Sequence, residues 1–192
     1  MTNPKIRAIF LFILTLAFGV LIFGGYLINK AKPPIPEKIV APSGETILTA
    51  KDIIDGQNYY FSRGGQHIGT IWGHGSYLAP DWSADFLHRM GLFLAARQHG
   101  LSAAAAQDFT QADFENLERQ EQARLTTLVQ DEIKTNRFDA QSKVLRFTQY
   151  QAEAFDVLTG YYTKLFQKGN DRILLPRDKI IKIGLIKGIF QK

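Results

Sequence analysis

The chain has 192 residues, of which 45% are hydrophobic and 21% are charged, and it contains no cysteine. This length suits one modest domain with an appendage. Without cysteine, the chain cannot form a disulfide framework, a cysteine-ligated zinc site, a thiolate-held iron–sulfur cluster or a Cys-x-x-Cys-His haem attachment.

The formal net charge of +5 is unevenly distributed along the chain. Residues 1–28 contribute +2 and residues 171–192 contribute +4, whereas residues 29–170 carry 15 basic and 16 acidic side chains. A nearly neutral central region offers no broad electrostatic attraction for a polyanion. We therefore expect no nucleic-acid partner.

The N-terminal region is predicted to anchor the chain in a membrane. Ala8 to Ile28 is an uncharged run of 21 residues, long enough to cross a hydrocarbon core of about 30 Å as a helix. A cleaved signal peptide is the alternative, but its apolar region usually spans only about 7–15 residues. We predict a transmembrane anchor over residues 1–30. Basic residues flank both ends of the run, so charge alone leaves its orientation open.

Four prolines within residues 31–48 predict a semi-rigid linker, because such sequences favour extended geometry. A mainly α-helical soluble domain is predicted over residues 49–168, followed by a basic tail over 169–192. A capping box at Thr49–Asp52 predicts a helix to about Tyr60, and Asp81 or Ser83 predicts the start of another that ends near His99. Further helices are predicted over 102–107, 111–136 and 143–167, the last with core aromatics.

A glycine-rich segment separates the first two of these soluble helices. It contains five glycines at positions 64, 65, 69, 73 and 75. Such a density indicates unusual backbone angles, or a backbone that lies close to another group. We therefore regard residues 64–80 as the candidate functional loop.

Two kinds of metal site are compatible with this region. His67, His74 and His88 fall close together in sequence, but their spacing matches no zinc pattern and hydrogen bonding by separate histidines is the simpler explanation. Gly75 and Tyr77 offer a backbone carbonyl and a phenol oxygen, which are hard donors that suit calcium. Two neutral oxygens bind calcium weakly, so such a site would need carboxylates from elsewhere.

Two stretches resemble the N-terminal region of quinol-dependent nitric oxide reductases. One is IWGHGSYLAPDWSADFLHR, preceded by Gly56-Gln57 and Gly64-Gly65, and the other is YQAEAFDVLTGYYTKLF. The resemblance covers residues 8–166. It implies one membrane helix and a cytochrome-c-like periplasmic domain without haem, located at the bacterial inner membrane.

The same resemblance implies where the haem ligands of a related cytochrome subunit would fall. The GEGAYYAP pattern of that subunit aligns with residues 73–80, which places the two haem-attaching cysteines at Gly65 and Ile68 and the axial histidine at Gly69. These three residues imply no haem c. The resemblance also assigns Gly75 and Tyr77 to a calcium site at the domain interface, completed by a carboxylate of the catalytic domain.

The family implies a catalytic multi-helix domain as partner. In the family that domain holds haem b and non-haem iron, reduces NO to N₂O and follows the region matched here. Residues 169–192 show no resemblance to the family, and we expect a truncated reading frame and a chain that is inactive alone. Three hypotheses are kept: the domain caps the catalytic domain, it is a membrane-tethered interaction or assembly module, or it is a small histidine-based metal-binding protein.

Overall fold

A computed structural model describes residues 3–31, 33–71, 73, 80–173 and 175–177. The chain divides into two compact units, Met1–Ile35 and Pro36–Lys192, and each is described by itself.

The first unit is the helix α1, Pro4–Ala31. None of its residues is buried, and large apolar side chains stand exposed all around it. At 1.5 Å per residue its 28 residues extend about 42 Å, more than the hydrocarbon thickness of a bilayer. Within the described residues, α1 alone is long and apolar enough to cross a membrane. This agrees with the predicted anchor.

The second unit is mainly helical, as predicted, and carries a small sheet. Its elements, in chain order, are β1 (Lys38–Val40), β2 (Thr46–Thr49), α2 (Ala50–Ser62), α3 (Trp82–Gln98), α4 (Ala103–Ala106), α5 (Gln111–Glu115), α6 (Arg119–Lys134), β3 (Phe138–Asp139), β4 (Val144–Arg146) and α7 (Gln149–Lys168). Short 3₁₀ turns lie at Gly65–His67 and Asp171–Ile173.

Side chains at the helix starts fix several of these bounds. Thr49 and Asp52 form a reciprocal capping box at α2, as predicted. The Asp81 carboxylate accepts hydrogen bonds from the backbone N–H groups of Ser83 and Ala84, at 2.8 and 3.2 Å, which confirms Asp81 as the cap of α3.

The predicted continuous helix over 111–136 is wrong. Thr110 and Asp113 form a capping box for α5, which ends at Glu115, and α6 begins only at Arg119. The Gln122 amide donates to the carbonyls of Glu115 and Leu117, at 3.0 and 2.7 Å. These bonds satisfy carbonyl groups that a continuous helix would have paired internally.

The start of the predicted helix over 143–167 is also wrong. Residues 144–146 form β4, which pairs in parallel with β1, and β3 and β2 lie at the two edges in the order β2-β1-β4-β3. Ile39 and Val144 are buried, so these short strands contribute to the core. The folded unit thus includes β1 and β2, which lie inside the span predicted as a linker, 31–48.

The core lies where α3 packs against α7 and α6. Its largest fully buried side chains there include Trp82, Leu94, Leu125, Tyr162 and Phe166. Arg97 of α3 donates to Glu153 of α7 at 2.8 Å, which adds a polar tie between the two helices. Within the predicted tail, Leu175 is also buried, while 178–192 lie outside the described residues.

Candidate functional site

The glycine-rich segment is joined at its two ends by backbone hydrogen bonds. The Thr70 N–H donates to the Pro80 carbonyl and the Trp82 N–H donates to the Thr70 carbonyl, each at 2.9 Å. Thr70 and Asp81 thereby form a parallel bridge. The residues between them form a closed loop whose base rests on the first turn of α3.

Tyr60, in the last turn of α2, fixes the approach to this loop. Its ring is 2% exposed, and its hydroxyl donates to the Gly69 carbonyl at 2.9 Å. Burial raises the pKa of Tyr60 well above its usual value. The phenol is therefore neutral at physiological pH and acts as a hydrogen-bond donor.

Two glycines of the segment lie directly against aromatic rings. A Cβ atom built on Gly69 would fall 1.7 Å from Nε1 of Trp82, and one built on Gly65 would fall 2.5 Å from the Tyr60 ring. Side chains larger than hydrogen have no room at either position. The prediction that this backbone lies close to another group is confirmed at both glycines.

Trp82 is held by further aromatic side chains from α7. Its ring meets Phe166 edge-on at a centroid distance of 5.1 Å and Tyr162 at 6.3 Å. Phe86 of α3 stacks on Tyr162 at 6.3 Å. We call Tyr60, Trp82, Phe86, Tyr162 and Phe166 the aromatic cluster. It is buried and close-packed, so a displaced Trp82 ring has no free space to enter.

A polar tie borders the aromatic cluster. The Tyr162 hydroxyl donates to Oδ2 of Asp85 at 2.6 Å, and Arg89 Nε donates to the same oxygen at 2.9 Å. The Arg89 guanidinium also lies 4.0 Å from the centre of the Tyr161 ring. Burial, together with the hydrogen bond to Asp85, raises the pKa of Tyr162. These contacts join α3 to α7.

The predicted calcium ligands Gly75 and Tyr77 lie outside the described residues. At the edge of that gap, Gly73 has φ +71°, a conformation that favours glycine, and its side-chain position faces Oδ2 of Asp81 at 3.5 Å. A second hard donor group therefore lies beside the base of the loop.

The histidine-based site gains no support from the described part of the chain. His67 and His88 are both exposed there, and no three metal-ligating side chains among the described residues lie close enough to hold one ion. His74 lies outside those residues.

Sequence reasoning missed Tyr60 and Trp82 as residues of this site. The available signal was the position of the glycines, since Gly65 and Gly69 lie between two aromatic residues that end α2 and begin α3. The expectation that the aromatics of the last helix are core residues is confirmed by the burial of Phe155, Tyr162 and Phe166.

An apolar helix followed by a mainly helical domain with a closed glycine-rich loop defines a class of membrane-anchored helical domains. A family model described as the cytochrome c-like domain of the nitric oxide reductase protein NorB matches residues 36–187. The chain belongs to this family. The match extends beyond residue 166, where the recognised motifs end, and includes most of 169–192. A comparison with curated proteins found no significant match.

The residues of this chain do not fit the covalent haem that a cytochrome c carries. Thioether attachment requires cysteine, and the chain has none. At the positions that the resemblance assigns to the haem ligands stand Gly65, Ile68 and Gly69. Ile68 is buried, and the space beside the two glycines is filled by Tyr60 and Trp82.

Proposed function

We propose that this chain is the N-terminal region of a quinol-dependent nitric oxide reductase. The family match and the filled space beside Gly65 and Gly69 support this proposal. A domain without haem c offers no entry for electrons from a soluble cytochrome, so the reductant would be a quinol. The reduction of two NO molecules to N₂O would take place in a catalytic domain that holds haem b and non-haem iron.

In this proposal the domain caps the catalytic domain on the periplasmic side of the membrane. The apolar helix α1 would anchor it with the N-terminus inside. The Gly75 carbonyl and the Tyr77 hydroxyl would bind calcium together with a carboxylate of the catalytic domain. The support on this chain is the loop base, because the Thr70–Pro80 and Trp82–Thr70 hydrogen bonds hold the two ends of the loop together.

The residues described above have defined tasks in this proposal. Trp82 fills the space beside the former axial-ligand position, and Tyr60 fixes the Gly69 carbonyl. Both keep water out of the base of the loop, because both rings are almost completely buried. The domain thus presents a rigid loop to its partner without a redox cofactor of its own.

The experiment is capture of a separately expressed catalytic domain of a quinol-dependent reductase by the purified full chain in detergent. We expect capture that weakens in the presence of a calcium chelator and with Tyr77→Phe, while the matched variant Tyr59→Phe captures normally. Capture that ignores both changes would contradict the calcium role, and absence of capture by the wild-type chain would contradict the capping role.

Activity provides an independent check. Membranes that hold only this chain should consume no NO above an empty-membrane control when supplied with reduced quinol under anaerobic conditions. Turnover by the chain alone would contradict the assignment of catalysis to another domain. The alternative function, a membrane-tethered interaction or assembly module, draws support from the domain's own core, and it would be favoured if a partner other than a reductase co-purifies.

A further inference from the structure

Helix α2 presents an apolar stripe to solvent. Lys51, Ile54, Asn58 and Phe61 recur at intervals of three or four residues and are all exposed, so they share one helix face. Ile54 is 44% exposed and Phe61 is 55% exposed. The opposite face buries Ile53, Gly56 and Tyr60 in the domain.

This stripe holds two of the most exposed large apolar side chains of the second unit. Outside α1, the exposed large apolar residues among those described are Ile54, Phe61, Leu87 and Ile133. Ile54 and Phe61 are seven residues apart, two helical turns, and so form one continuous surface. An apolar surface of this kind on a helix is expected to be covered by another apolar medium.

Basic side chains surround the stripe. Lys51 and Arg63 lie near its two ends, and Lys38 of β1 pairs in register with Thr49, the residue that caps α2. All three are exposed. Aromatic and aliphatic residues bordered by lysine and arginine are typical of helices that lie in the headgroup region of a bilayer, where cations meet anionic lipid phosphates.

The chain keeps α2 within reach of a membrane surface. The Ala50 N–H, at the start of α2, donates to the Glu37 carbonyl at 2.9 Å. Glu37 follows the last residue of α1 by six positions, and six residues span at most about 21 Å even when fully extended. A bilayer crossed by α1 is therefore close enough to be touched by α2.

We propose that the stripe of α2 lies in the lipid headgroup region of the same bilayer that α1 crosses, with Ile54 and Phe61 inserted toward the acyl chains. The contact would fix the orientation of the domain on the membrane, in addition to the tether. It does not depend on the proposed reductase function, only on membrane insertion of α1.

The absence of cysteine permits a direct test in the full chain. Ile54→Cys and Phe61→Cys, each labelled with the environment-sensitive fluorophore NBD, are placed in nanodiscs of phosphatidylethanolamine and phosphatidylglycerol. Ala105→Cys and Ala123→Cys, which are exposed on α4 and α6, serve as controls. We expect blue-shifted emission at 54 and 61, with quenching by lipids brominated on the acyl chains about twofold or more above the controls.

Equal emission and equal quenching at all four positions would overturn the proposal. The nanodiscs contain no other protein, so protection in them identifies lipid as the occupant. Labels that are accessible in nanodiscs but protected in native membranes would identify a protein partner instead, which also overturns it. Circular dichroism of each labelled variant, unchanged from wild type, shows that the exposed substitutions leave the fold intact. Failure of catalytic-domain capture would leave these results unaffected, so the two proposals can fail separately.

Discussion

The glycine-rich segment and the α3–α7 helix pair build the same core in opposite ways. In the helix pair, large side chains such as Tyr162 and Phe166 fill the space between two backbones. In the glycine-rich segment, the space is filled because Gly65 and Gly69 have no side chain, so the rings of Tyr60 and Trp82 rest directly on the backbone. A core is therefore specified as much by residues that leave room as by residues that occupy it.

The largest effect is expected when a side chain is added to the glycine-rich segment. Gly69→Ala places a methyl group 1.7 Å from Trp82 Nε1, and the buried ring cannot move aside. Overpacking of this kind should lower the free energy of unfolding by about 3 kcal/mol. Urea unfolding of the full chain in detergent, followed by far-UV circular dichroism, measures the change.

The matched control is Gly160→Ala on α7. A Cβ atom at Gly160 meets nothing within 4 Å, so alanine should be neutral or stabilise the helix by up to about 1 kcal/mol. Similar losses of stability in the two variants would show that the contrast between the two regions is false.

A smaller effect is expected when a polar group is removed from the helix pair. Tyr162→Phe deletes the hydroxyl that donates to Asp85 at 2.6 Å and should cost about 2 kcal/mol, as expected for a hydrogen bond to a charged group. Tyr161→Phe keeps the ring beneath Arg89 and should change stability by less than about 0.5 kcal/mol. Thermal unfolding of both variants separates them. Equal effects would mean that the Asp85 bond contributes nothing specific.

The smallest effect belongs to a surface ion pair far from both aromatic regions. Hydrogen bonds from Arg124 and His99 lower the pKa of Glu121 to about 2. Because this pKa is lower than in the unfolded chain, the stabilisation is present above about pH 4.5 and is lost as the pH falls through about 2. Glu121→Gln should therefore lower the melting temperature slightly at pH 6 and hardly at all near pH 2, whereas Glu118→Gln should have no effect at either pH. A Glu121→Gln difference that grows at low pH would contradict this assignment.

The sequence was sufficient for features that depend on local chemistry. The anchor, the caps at Thr49 and Asp81, and the buried aromatics of α7 follow from hydropathy, hydrogen bonding by short polar side chains, and helical periodicity. It was insufficient for features that depend on distant partners. β4 forms because Val144 meets β1 more than a hundred residues earlier, and α5 ends where Gln122 reaches back to cap it.

The candidate site shows the same division. The resemblance assigned the haem-ligand positions to Gly65, Ile68 and Gly69, and the glycine density indicated a close backbone approach. Neither could identify Tyr60 and Trp82 as the approaching groups, because that depends on how the end of α2 meets the start of α3. The calcium assignment to Gly75 and Tyr77 stays a prediction.

The most direct test of the filled site is proton NMR of the full chain with selectively labelled glycine, in nanodiscs or detergent. The account predicts upfield ring-current shifts for the α-protons of Gly65 and Gly69, with Overhauser contacts from Gly65 to the Tyr60 ring and from Gly69 to the Trp82 indole N–H. The Gly65 shift should disappear with Tyr60→Leu. Unshifted glycine protons without these contacts would contradict the claim that aromatic side chains occupy the space beside the former haem-ligand positions.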